Sequence, residues 1–574
     1  GASLRVRTFV MRVIICEIPS LSLASYAGFG RKIGTELEGG AMNEKGKRVA
    51  RGMDRRSFLG FGAASALVAG MGLAGCAPKK AGEAQALGSD DAEGIVWNKE
   101  ADVVVVGYGG AGVSAAIEAA NAGSRVIVLE IAETPGGSTT QCGAYLYLGG
   151  GTALQRACGI EDTVDTMFAY MKKAIGRSCD DEILRLYCEK SPQAYDWLVA
   201  NGVSFEEKAM LDGHDSGRPE GYGLLFTGNE RAFEYAAVAT PVPRGHGAYC
   251  EPDKMFGGYS PGPGLFEPLK KAAEAAGVEA ICKAEAKRLI QDGTGRVVGV
   301  AADIEGAETM IKAAKGVVLT AGAFSMNDEM IADYCPDALL AGGRVGNVND
   351  SGAGIVMGQE AGGAVRGMQY IDAAHFLYQY GEGLMYGIQV DGRGARVASE
   401  DWYGSFVGQK VYHSDPAVGF VIADADAAAQ VVENYGMTAE VAAEADTIEA
   451  LAEAVGINPS SLSASVDRYN SLCDAGVDED FHKEAKYLTG IRVPPFKAFF
   501  SGASASTMLT LGGLKVDANM RVLSKKSKPI PALFAAGRNA CALQGEYAGS
   551  GTSVGEAIVF GRIAGQQAAA GGAS

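Results

Sequence analysis

Three glycines and a carboxylate carry the most specific chemistry in this sequence. Gly107, Gly109 and Gly112 stand at Gly-x-Gly-x-x-Gly spacing, and Glu130 closes the apolar run that follows. This pattern suits a dinucleotide. Gly107 permits a tight turn, Gly109 lets the backbone approach a pyrophosphate, Gly110 and Ala111 keep the loop small, and Gly112 allows a helix to lie close on a strand. The helix N-terminus then faces the phosphates with unpaired N–H groups. A carboxylate at Glu130 can accept hydrogen bonds from ribose hydroxyls. Other reactive residue types are poorly placed. The 11 cysteines are scattered singly with no Cys-x-x-Cys, and the five histidines form no ligand pattern. That argues against a metal site, an iron–sulfur cluster, covalent haem or a dithiol pair built from local spacing. Cys142 reads as a small buried residue.

The elements that must position these groups follow from the flanking text. Residues 101–130 read as a buried strand, a glycine turn, an Ala-rich helix and a second buried strand. Pro135-Gly136-Gly137-Ser138-Thr139 comes shortly after. Residues 315–325 form a further strand ending in a small turn at Ala321-Gly322. Residues 529–540 read as a strand running into Gly537-Arg538, and a Gly/Ser turn then opens a helix at about Thr552-Ser553-Val554. A return to the first unit from so far away is a flavoprotein habit, so FAD is the expected cofactor. A last helix of this kind aims its N-terminus at the isoalloxazine. No second Gly-x-Gly-x-x-Gly follows a strand, which excludes a built-in NAD(P)H site of the disulfide-reductase type.

The chain has 574 residues, enough for two or three lobes, and 47% hydrophobic with 21% charged residues excludes wholesale disorder and a multi-span membrane protein. Residues 53–76 place Arg55-Arg56 before an apolar Ala/Gly stretch that closes on Leu73-Ala74-Gly75-Cys76. This resembles a twin-arginine export signal with a lipobox, so export and a lipid anchor at Cys76 are expected, with no other membrane contact. Residues 1–52 read as non-structural, and 77–97 as a flexible tether. Formal charge is −17; the leader through Cys76 holds 11 basic and 5 acidic residues, leaving −23 on the remainder. Nucleic acid is not an expected partner.

Over residues 98–570 the motifs resemble the soluble fumarate-reductase and 3-ketosteroid-dehydrogenase superfamily of FAD enzymes. Residues 241–247, 293–300 and 388–401 match segments found in that order across it. The resemblance implies an α/β fold: a Rossmann-like FAD-binding domain, 98–371 plus 505–570, with an inserted α+β capping domain, 372–504. Residues 419–475 are rich in Ala, Asp and Glu at helical spacing and read as solvated helix. Tyr145 and Tyr147, on a presumed strand, read as cleft wall. His246 and His375 read as structural.

Fumarate-type enzymes hold two carboxylates with Arg and His. Where they place paired histidines this chain has Met508-Leu509, and where they place an acid Arg it has Glu400-Asp401-Trp402-Tyr403. The segment 545–551 contains no Arg. A dianion would lack counter-charges, so a neutral, apolar substrate is expected. Residues 143–159, 243–246 and 400–405 look most like 3-oxo-5α-steroid 4-dehydrogenases. That likeness implies that Tyr403 and Tyr547 frame a ring enone, with Tyr403 as proton donor, Tyr547 on the ketone oxygen, and Ser550 in a run one residue longer than the family's. The alternative is a reductase of an unsaturated organic acid, anchored by Arg244, Arg396 or Arg538. With no haem, cluster or flavin-attachment module in the chain, a separate membrane-bound electron donor or acceptor is implied.

Overall fold

Val103 to Val106 are β-branched and offer no polar face, so they fit the centre of a parallel sheet covered on both sides. The computed structural model describes residues 94–211, 221–257, 260–375, 377, 382–432, 439–543 and 545–571. In it, strand β1 (Lys99–Val106) pairs in parallel with β2 (Val126–Leu129), Val103 opposite Val126. On its other side β1 pairs in parallel with β3 (Ala307–Leu319), Val104 opposite Val317. Strand β4 (Pro529–Ala535) adds in parallel beyond β3, Val318 opposite Phe534. The order Arg521–Leu523, β4, β3, β1, β2, Glu279–Ile281 makes the main path of an eight-stranded sheet, to which Ala284–Gln291 and Val297–Ile304 attach through β3. Four strands drawn from across the chain thus end at one edge, where turns can meet a ligand.

Helix α1 (Gly110–Asn121) joins β1 to β2, and helix α2 (Thr552–Ala569) packs against it. The crossing is close because small residues face each other. A Cβ on Gly561 would lie 2.5 Å from Ala111 O, and one on Gly565 2.2 Å from Ala115 O.

A second sheet, Ile388–Asp391, Gly419–Ala423, Phe496–Phe500 and Val441–Ala445 in that order, has its own core of Ile388, Ile422, Leu451, Leu462 and Tyr469. Two of these strands fall in the stretch that the Ala/Glu composition reads as helix. Val441–Ala445 is an edge strand held by register with Phe496–Phe500, Val441 opposite Phe499, and that pairing overrides local propensity. The expected helix is present as Ile448–Val455. Strand Ile371–Ala374 pairs antiparallel with Thr507–Thr510, and helix Gly404–Tyr412 lies against it. Among the described residues no helix is long and apolar enough to cross a membrane. The leader, the lipobox and most of the tether lie outside the described residues.

Candidate active site

The carboxyl edge of the sheet opens into a cavity of about 440 Å³. Its first wall is the β1–α1 turn. Gly107 adopts φ +96°, and a Cβ on Gly112 would lie 2.0 Å from Gly107 O, so the helix can start this close only without side chains. Gly109, Gly110 and Ala111 line the cavity; Gly112 lies behind them as the packing contact. Glu130 is buried, accepts the N–H of Tyr108 at 2.8 Å and of Ala132 at 2.9 Å, and faces the cavity with its remaining lone pairs. Gly137, Ser138 and Thr139 line the next stretch, with Gly136 set back at φ +122° to turn the chain. Thr139 Oγ1 accepts the Gly110 N–H at 2.9 Å. Ala321 and Gly322 follow β3, and Gly537 and Arg538 follow β4. Arg538 donates to Asp350 at 2.7 Å and Ser138 at 2.8 Å, while its Nη1 is buried with no partner among the described residues. A glycine cradle at a helix N-terminus, a buried acid and an orphaned guanidinium donor fit a dinucleotide with an anionic centre.

The opposite end is built from hydroxyls. Tyr403 caps helix Gly404–Tyr412, and its N–H donates to Asn229 Oδ1 at 2.6 Å. Its hydroxyl sits 3.0 Å from Ser550 Oγ, so the longer run in this chain still brings Ser550 to Tyr403. Tyr547 Oη accepts the Ser553 N–H at 3.2 Å, which leaves its own proton to donate. Burial pushes the Tyr547 phenol up to about 12. The turn between them is strapped down: Ser550 N donates to Thr227 O, and Thr552 N to Gly549 O. A backbone donor from this turn therefore has to come from its glycines. Ser553 and Val554 line the cavity, whereas Thr552 is turned inward, its hydroxyl on Gly549 O at 2.7 Å.

Two residues that the sequence did not single out tie these segments together. Tyr170 donates to Ala548 O at 2.7 Å and accepts the Asn229 N–H at 2.9 Å. Asn229 and Tyr170 thereby link the turn bearing Tyr403 to the turn bearing Tyr547. Of the paired tyrosines expected in the wall, Tyr145 lines the cavity. Tyr147 does not; two residues further along the strand it has entered the core, with its hydroxyl on Glu230 at 2.9 Å.

The candidate cations are already paired. Arg244, wholly buried, forks onto Asp162 at 3.0 and 2.8 Å. Arg396 binds Glu400 at 3.0 and 2.8 Å and Asp478 at 2.8 Å. Lys483 adds to Glu400 at 3.0 Å. Burial raises the Glu400 carboxyl, but Arg396 and Lys483 outweigh it and hold the group below its ordinary range. This buried ionic cluster anchors the turn that carries Tyr403. His246 bonds Thr152 at 2.7 Å and His375 bonds Ser501 at 2.9 Å; burial lowers each to about 4, so both are neutral. Among the described residues lining the cavity, Arg538 is the one cation.

Comparison with known proteins agrees with this architecture. The family described as FAD binding domain matches residues 102–554. The structure of a 3-ketosteroid-Δ4-(5α)-dehydrogenase from Rhodococcus jostii RHA1 is 35% identical, with a TM-score of 0.78, over 84% of this chain and 99% of that one. Digoxin reductase of Eggerthella lenta is 29% identical over 92% of this chain and 98% of its own length. Urocanate reductase of the same organism is also 29% identical, over 82% and 75%. The cofactor is FAD, the reaction class is formation or reduction of a C=C bond, and the chain belongs to the FAD-binding family that includes the fumarate reductases and 3-ketosteroid dehydrogenases.

Proposed function

We propose that this enzyme reduces, or in reverse forms, a C=C bond conjugated to a ketone in a neutral, apolar substrate of 3-ketosteroid type. The supporting observation is the wall beside Tyr403: the hydroxyls of Tyr403, Tyr547 and Ser550 stand with Ala374, Met508 and Leu509, and the cavity's cation is committed to Asp350. The turn at Gly107–Gly112 and the α1 N-terminus would hold the pyrophosphate, Glu130 the ribose, and the α2 N-terminus the isoalloxazine end. When bound, FAD would supply the hydride chemistry, its reduced form as donor for the carbon β to the ketone and its oxidised form as acceptor in the reverse direction. Tyr403, its hydroxyl oriented by Ser550, gives a proton to the α carbon. Tyr547, already accepting the Ser553 N–H, donates to the ketone oxygen as charge develops there.

An unsaturated acid is the second reading, favoured by the likeness to urocanate reductase. Its carboxylate would have to compete with the cofactor for Arg538, whose Nη2 is held by Asp350 and Ser138. The deciding experiment challenges dithionite-reduced holoenzyme with 3-keto-Δ4 and 3-keto-Δ1 steroids, cinnamates and fumarate, and follows flavin reoxidation. Steroid enones should reoxidise it fastest; faster turnover of fumarate or a cinnamate overturns the assignment.

From the sequence we also propose a capping domain over 372–504, twin-arginine export, lipid attachment at Cys76 and a separate membrane-bound electron partner. Dithionite replaces that partner in the assay.

A further inference from the structure

We propose, resting on the neutral-enone reading, that Asp372 is a specificity-determining acid of the substrate cavity: its uncharged form admits a neutral apolar substrate, and its carboxylate form excludes that substrate and organic anions alike. Asp372 and Ala374, two apart on one strand, line the cavity, while Ile371 and Ala373 turn to the core behind. Asp372 is 5% exposed, and its Oδ1 is buried with no hydrogen-bond partner among the described residues. A buried acid that faces only the Ser405 hydroxyl and leaves one oxygen without a partner in an apolar strand is costly enough to require a reason.

Among the described residues no cation stands against it. Its cross-strand neighbour is Leu509. Helix Gly404–Tyr412 and its cap present the hydroxyls of Tyr403 and Ser405, while Lys410 and His413 of that helix are exposed to solvent. The turn before α2 presents Tyr547 and Ser550. Arg538 is held by Asp350 and Ser138, and the other carboxylates of the cavity, Asp350, Glu130 and Glu285, carry the same sign as Asp372. His375, three residues further on, is neutral on Ser501. Burial accordingly pushes the Asp372 carboxyl up to about 7. An apolar ligand that displaces water from the cavity disfavours the carboxylate further, so above neutrality binding must take up a proton. An anionic ligand meets like charge.

The test measures the Kd of 4-androstene-3,17-dione for oxidised holoenzyme from pH 6 to 9, read by perturbation of the flavin absorbance. Wild-type affinity should be flat below pH 7 and weaken by about tenfold per pH unit above it. Calorimetry at pH 8 in two buffers of different ionisation enthalpy should show proton uptake, a measurement that needs no variant. Asp372→Asn, checked for FAD content, should abolish the slope and the uptake and bind cinnamate more tightly than wild type does. A flat wild-type profile without proton uptake, or an unchanged slope in Asp372→Asn, overturns the role of Asp372 alone. A steroid that binds neither protein at any pH overturns the substrate reading and this role with it.

Discussion

Tyr403 is a buried phenol and Tyr547 a half-buried one, both beside Ser550 and the α2 N-terminus, but their partners assign them different work. Tyr403 shares its hydrogen bond with a serine hydroxyl, either of which can donate, as a proton-transfer group requires. Tyr547 accepts a backbone N–H, which fixes its oxygen and leaves its proton for a second partner. Tyr403→Phe should therefore lower enone turnover by about 10²–10⁴-fold with FAD content intact. Tyr547→Phe removes a donor to the developing enolate and should lower kcat by about 10²–10³-fold. Stopped-flow reoxidation of reduced holoenzyme measures both, and unchanged turnover of either variant rejects its role. The tyrosines were legible in the sequence because short motifs surround them. Asn229 and Tyr170 were not, since each is a single polar residue whose partner lies 174 or 378 positions away. Asp372 was equally hidden, for an acid in an apolar strand looks from sequence like an alternating, half-exposed position.

Helix α2 is the element on which most depends, because it offers its N-terminus to the cavity and its small-residue face to α1. Gly565→Leu would drive a side chain into Ala115 O and force the helices apart. The expected loss is about 1–3 kcal/mol or more in thermal or urea unfolding, together with loss of bound FAD. The same helix carries a buried acid, Glu556, which accepts the Leu543 N–H at 3.3 Å and which burial pushes up to about 8. Below pH 4.5 the folded and unfolded chains both hold this proton. Between 4.5 and 8 only the folded chain keeps it, so stability falls as pH rises through that window. Glu556→Gln escapes the penalty and should stabilise the holoenzyme by up to about 3 kcal/mol at pH 7, with no gain at pH 4. Thermal unfolding at the two pH values checks this. The start of α2 at Thr552 and the β1–α1 unit were readable because glycine spacing and Val runs are local signals. The strand at Val441–Ala445 was not, since its Ala and Glu prefer helix and only pairing with Phe496–Phe500 makes it a strand.

At the scale of the molecule, the reading requires a yellow protein whose flavin absorbance is bleached by dithionite and restored by an enone. A colourless preparation from flavin-replete cells would reject it. The sheet that holds the cofactor also sets a timetable. Its central strand, β1, is complete at Val106, yet one neighbour ends at Leu319, the strand beyond that begins at Pro529, and the capping helix runs to Ala569. On the nascent chain β3 therefore waits for its outer partner until β4 has been made, and α1 waits for the small-residue face of α2. Capture of the flavin then waits until β4 and the N-terminus of α2 have been made, since both line the cavity. A ribosome stalled at residue 550 should yield a nascent product that retains no flavin.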